Sequence, residues 1–130
     1  MLTMALLVTA LLFGGMILYS FGFAAFIFHV LPPKDAGPVI RQAFPHFYLF
    51  VLATSVVGAA LVAPARPLLG VVLAMIAVTV LIARQVLMPA INRATDSQDR
   101  SRFKLLHGLS VAITLAHIGA AGWVLVQLGA

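Results

Sequence analysis

Cysteine and glutamate are both missing from this chain, and aspartate occurs only three times, at Asp35, Asp96 and Asp99. Without cysteine there is no disulfide framework, no thiol nucleophile and no thiolate metal site. Charge of either sign is scarce: eight Lys and Arg plus three acids make 8% of 130 residues, where a soluble domain carries about a quarter. So few charges cannot cover a surface in water, which makes the bilayer the solvent for most of the chain. The acids are too few and too clustered for a carboxylate pair in a catalytic cleft. Asp96 and Asp99 share one solvated stretch, and there is no glycine-rich phosphate loop and no nucleophile elbow. The sequence therefore reads as non-enzymatic and implies no cofactor. The net charge of +5 does not point to nucleic acid, because the basic residues are few and flank apolar runs, where they suit anionic headgroups.

What the chain has in abundance is apolar sequence, 63% of its residues. Four runs are long enough for about 30 Å of hydrocarbon, which takes about 20 helical residues. They predict helices over about 4–29, 46–64, 68–88 and 104–128 of a single membrane domain, 1–130. Pro32 and Pro33 end the first, Pro45 precedes the second, Pro67 opens the third and Pro89 closes it. The first run has no basic n-region and exceeds the usual 7–15 residues of a signal peptide's apolar stretch, so it reads as a membrane helix. The fold class expected is all-α, an integral membrane four-helix bundle running up-down-up-down.

Seven of the eight basic residues fall on one side of this arrangement. Lys34 and Arg41 lie in the loop 30–45; Arg84, Arg93, Arg100, Arg102 and Lys104 lie at the end of helix 3 or in the loop 89–103; only Arg66 lies between helices 2 and 3. The positive-inside rule places both long loops in the cytoplasm and both termini on the other side. The expected location is a bacterial inner (cell) membrane. Small residues suggest how the helices meet. Gly108, Ala112 and Ala116, continued by Gly119 and Ala120, form a small-xxx-small series on helix 4, and Gly15 and Gly22 lie one heptad apart on helix 1 beside Gly14. Close helix packing within the bundle is the expectation, with a homo-oligomer seam as the alternative.

The polar residues inside the apolar runs are the candidate functional groups. His107, Ser110, Thr114 and His117 fall at i, i+3, i+7 and i+10, on one side of helix 4. A lipid-facing polar stripe would leave its groups unpartnered, so it should turn inward and bond across the bundle. Tyr19, Ser20, Arg84 and Gln85 are possible neighbours, and Asn92 in the basic loop lies close to His107. His117, deep in the apolar run, is as much a functional candidate as a neutral histidine bonded to a carbonyl or to Thr114. Arg84 either snorkels to the interface or pairs inward with Gln85 toward helix 4. His46 and Tyr48 are expected at the membrane interface. His29, His46 and His107 end up at one depth and are weak candidates for a shared metal site, with no paired ligand spacing to support it.

The segment "GGMILYSFGFAAFIFHVLPPKDAGPVIRQAFPHFYLF" resembles the first half of the transmembrane protein 205-like family, a group also catalogued as a domain of unknown function. The matching features are Gly14 and Gly15, Phe28, Leu31-Pro32, Gly37 and the Phe44–Tyr48 motif. "MPAINRATDSQDRSRFKLLHGLS" is similar to its second half at Pro89, Asn92, Phe103, His107, Gly108 and Ser110. The resemblance implies a four-helix membrane protein and marks His107. It also suggests a theme of resistance to toxic metal compounds, with which some members are associated. Where some members have a histidine early in helix 1, this chain has Ala5, and where asparagine is frequent it has Thr114.

The sequence thus supports a small polytopic membrane protein that binds a lipid, a hydrophobic or cationic small molecule, or a partner membrane helix. One alternative is a transporter-like or metal-handling module, acting alone or as a homo-oligomer. Another is a haem- or copper-linked redox protein using His107 and His117. These two lie ten residues apart, about 15 Å along a helix, so each would need a ligand partner from elsewhere.

Overall fold

The computed structural model describes all residues, 1–130, and consists of four long helices: α1 (Leu2–Val30), α2 (Pro33–Val62), α3 (Pro67–Asp96) and α4 (Arg100–Gly129). Each is long and apolar enough to cross a membrane. At 1.5 Å per residue each measures about 45 Å, so roughly ten residues of each helix exceed the hydrocarbon thickness of about 30 Å. On α2, α3 and α4 the surplus at one end carries nearly all the charge.

Contacts run antiparallel around a ring. Tyr19 on α1 meets Ala43 and Phe47 on α2, and Gly15 sits against Phe50. Gly58 abuts Leu73, and Gly70 abuts Ala63, at the α2–α3 end. Thr79 on α3 meets His117 on α4, and Gly122 on α4 meets Phe13 on α1. The buried residues recur at helical spacing, as Ala5, Thr9, Leu12 and Met16 on α1 and as Val51, Ser55, Gly58 and Val62 on α2. Outward-facing Leu, Val, Ile and Phe cover every helix, an exterior suited to lipid rather than water.

The helices are longer than their prolines suggest. The loop expected over 30–45 shrinks to Leu31-Pro32, because Pro33 occupies the first helical position, where a missing N–H costs nothing. Pro38 and Pro45 lie inside α2. Helix α3 runs through Pro89 to Asp96 instead of ending at Met88. Just before this proline it widens to a π-helical turn over Ala83–Leu87, the adjustment by which membrane helices re-satisfy backbone around a proline. A second π-helical turn occupies Leu18–Phe23 of α1, where the Ser20 hydroxyl donates to the Met16 carbonyl. The turn before α4 places Gln98 in the left-handed region at φ 56°, and the Asp99 side chain caps the Arg102 N–H at 3.1 Å.

One packing expectation fails. Gly108 and Gly119 have nothing within 4 Å of where a methyl group would sit, and Ala112 and Ala116 are exposed. The small face of α4 looks outward. Close approach occurs instead at Gly15, Gly58, Gly70 and Gly122. On α1, Gly22 would meet only Leu18 of its own helix, and Gly14 nothing.

Candidate functional site

Helix α4 packs against the first half of α1, Leu2–Ile17, and scarcely touches the second half. The two helices meet at the end bearing the termini and part toward the charged end. The gap is a cleft of about 620 Å³. Its α1 wall is Ser20, Phe21, Ala24 and Phe28, and its α4 wall is Phe103, His107, Ser110, Val111 and Thr114. Helices α2 and α3 close the back with Arg41, Phe44, Tyr48, Met88, Asn92 and Thr95.

Each wall has a local cause. The π-helical turn of α1 lies alongside a cluster of stacked and tilted rings in which Tyr19 faces Phe47 at 5.2 Å and Phe47 faces Tyr48 at 5.5 Å. The Tyr19 hydroxyl donates to the Ala43 carbonyl at 2.8 Å. This cluster fixes α1 on α2 and exposes Phe44 and Tyr48 to the cleft. On α4 the His107 ring stacks on Phe103, nearly parallel at 6° with centroids 5.5 Å apart. The ring is exposed and opens on the cleft. Ser110 shares a hydrogen bond of 3.2 Å with the Tyr48 hydroxyl across the back of the cleft.

The polar stripe therefore divides. His107, Ser110 and Thr114 line the cleft together with Asn92, as the proximity of Asn92 to His107 suggested. His117 does not: it is buried against α3 with Nε2 2.6 Å from the Thr79 hydroxyl. Thr79 is the lone polar residue of the run Pro67–Ile82, and that isolation was the available signal for it. Tyr48 is buried among its neighbours, because its ring belongs to the aromatic cluster. Arg84 turns to α2 rather than α4: its Nε donates to the Pro45 carbonyl at 3.4 Å and one terminal nitrogen to Gln85. His29 and His46 are exposed and line neither the cleft nor any group with His107, and no three His or Asp side chains gather as a metal site would require.

Among the residues lining the cleft, Arg41 carries the one guanidinium, and it is paired. Arg41 grips Asp96 through both terminal nitrogens, at 2.6 and 3.1 Å, joining α2 to α3 beyond their hydrocarbon-length stretches. The Arg41 hydrogen bond holds the Asp96 carboxyl below its ordinary range. What remains is aromatic surface with uncharged donors and acceptors, opening sideways between α1 and α4. Such a site suits an apolar body bearing a neutral or positive polar group.

No curated protein and no solved structure matches this chain. A family model does match, over residues 7–100. The matched span covers α1 from residue 7 onward and all of α2 and α3, hence every side of the cleft but one, and stops where α4 begins, short of His107. Because that span is the larger part of the sequence, the chain belongs to the family described as a domain of unknown function, DUF4149.

Proposed function

We propose that this chain is a non-enzymatic, multi-pass binding protein that takes a small hydrophobic or cationic amphiphile from the bilayer into the cleft between α1 and α4. The observation that carries the reading is the parting of those two helices beside unengaged polar groups, His107, Asn92 and Thr114, among phenylalanine faces. An apolar pocket with a few convergent polar groups is the usual form of a small-molecule site. The resemblance to the transmembrane protein 205-like family, some members of which are associated with resistance to toxic metal compounds, accords with the cationic part of this reading alone. A transporter-like role adds only release at the charged mouth near Arg41 and Thr95.

The test is scintillation-proximity binding of labelled tetraphenylphosphonium to the purified protein, with Nile red as a neutral competitor. Saturable binding is expected. Val111→Trp, which fills the cleft from α4, should abolish it without lowering the melting temperature. No saturable binding of either probe, or full binding by a folded Val111→Trp protein, refutes the proposal.

In the orientation proposed, the mouth of the cleft faces the cytoplasm and both termini lie outside, in a bacterial inner membrane, because seven of eight Lys and Arg sit at the cleft end. A reporter fused after Ala130 and active only in the cytoplasm should be silent; activity there overturns the orientation.

A further inference from the structure

On another side of α4 a second depression, of about 660 Å³, runs between α3 and α4, and it shares no lining residue with the cleft. Its floor is apolar, with Ile82, Val86, Leu106, Leu109 and Ile113 among the residues facing it. It extends from Arg102 to His117, fifteen residues or about 22 Å of helix. That exceeds one leaflet's share, about 15 Å, of the hydrocarbon. Its polarity lies at the charged end of the bundle, where Arg93 from α3 and Arg102 from α4 both border it.

These two arginines are not neutralised within the chain. The ion pair formed is Arg41 with Asp96, and the Asp99 carboxylate is engaged by the Arg102 backbone N–H. Two guanidinium forks therefore stand at headgroup depth above an apolar furrow as deep as a leaflet. A guanidinium matches phosphate oxygens bidentately, and basic pockets between membrane helices suit anionic headgroups.

We infer that the α3–α4 furrow holds one acyl chain of an anionic phospholipid of the adjacent leaflet, with its phosphate gripped between Arg93 and Arg102. The occupant is a lipid rather than free phosphate because the arginines border a furrow that only a hydrocarbon chain would fill. The site is independent of the cleft and of what the cleft binds.

The inference is tested by native mass spectrometry of the full chain released from mixed micelles containing equal phosphatidylglycerol and phosphatidylcholine. Wild type should retain phosphatidylglycerol preferentially. Arg93→Gln with Arg102→Gln should reduce that preference about thirtyfold, two arginines at about 1 kcal/mol each. Arg100→Gln with Lys104→Gln removes equal charge outside the furrow and should leave the preference intact. Ala116→Trp, which fills the furrow, should lose the lipid with both arginines in place, whereas Ala112→Trp, outside both depressions, should keep it. Equal loss in the two charge pairs would mean diffuse surface attraction, and equal competition by glycerol phosphate would mean a free-anion site. Either result overturns the inference, as does full retention by Ala116→Trp.

Discussion

Replacing Thr79 by valine separates a structural His117 from a functional one. The Thr79 oxygen lies 2.7 Å from the Met75 carbonyl and 2.6 Å from His117 Nε2. A hydroxyl has one proton. With that proton on the Met75 carbonyl, the oxygen accepts from Nε2–H. Valine keeps the shape of threonine and removes only this acceptor, so the buried imidazole N–H faces hydrocarbon unpaired. A stranded buried donor costs about 1–3 kcal/mol. Interhelical bonds in bilayers measure lower, about 0.6 and at most about 1.7 kcal/mol, because unpacked helices find other partners. The expected cost is about 1 kcal/mol, or about fivefold in the unfolding equilibrium. His117→Leu strands nothing, since the Thr79 hydroxyl keeps its own-helix carbonyls at Met75 and Ile76. The double variant should therefore be no less stable than His117→Leu alone. The assay is reversible unfolding in mixed micelles of rising dodecyl sulfate fraction, read by Trp123, the single tryptophan. A costless Thr79→Val, or additive single variants, refutes the bond. Lost probe binding with unchanged unfolding would make His117 part of the function.

Three further outcomes are expected. Gly70→Ala would put a methyl 2.7 Å from Ala63 Cβ and 2.9 Å from its Cα, at the tight turn between α2 and α3. It should destabilise by about 1–3 kcal/mol in the same unfolding assay, while Gly14→Ala, with open space around it, should be neutral or gain up to about 1 kcal/mol. Thr9 is fully buried and its hydroxyl has no partner, so Thr9→Val should leave stability unchanged or raise it by about 1 kcal/mol, and a clear loss would show that the hydroxyl is bonded. Asp96→Asn frees the Arg41 guanidinium beside the cleft and should weaken tetraphenylphosphonium binding while sparing Nile red.

The number of helices was legible because hydrocarbon thickness sets a length that four runs satisfy. Their ends were not. Pro33 and Pro89 read as stops and Pro45 as a helix start, yet Pro33 begins a helix, Pro45 lies within one and a π-helical turn carries α3 past Pro89. Which face turns inward was equally hidden, because the helices are apolar all round and the usual contrast between a wet and a dry side is absent. The glycine spacing shows this limit. Gly108, Ala112 and Ala116 share a face of α4, but spacing alone does not say whether that face meets a helix or lipid. Of the heptad pair on α1, Gly15 makes a close contact and Gly22 does not, while Gly58, Gly70 and Gly122, which the spacing does not single out, make the others.

The polar stripe of α4 is legible as residues, but its division between two surfaces is not. Ten residues at 100° each bring His117 about 80° round from His107, enough to pass from the cleft to α3. Those 80° assign the stripe two tasks. His107, Ser110 and Thr114 furnish the cleft, while His117 anchors the helix to Thr79. The anchor matters because α4 is the least buried helix: His117, Ala121 and Val124 are buried on it, against six residues of α3 before its π-helical turn, and its tight apolar contact is Gly122 on Phe13. The tight contacts at Gly15, Gly58 and Gly70 all lie within α1, α2 and α3, the part of the chain that the family model covers. Those three helices form the frame, and α4 is the wall whose position sets the width of the cleft. Its polar ties are few: Tyr48 to Ser110 at the cleft, Thr79 to His117 midway, and Arg66 to the Gln127 carbonyl at the far end. Of these, the Tyr48–Ser110 bond alone lies where α1 and α4 have parted. It ties α4 to α2 there, while the other two fix α4 to α3 midway and to the α2–α3 turn at the far end.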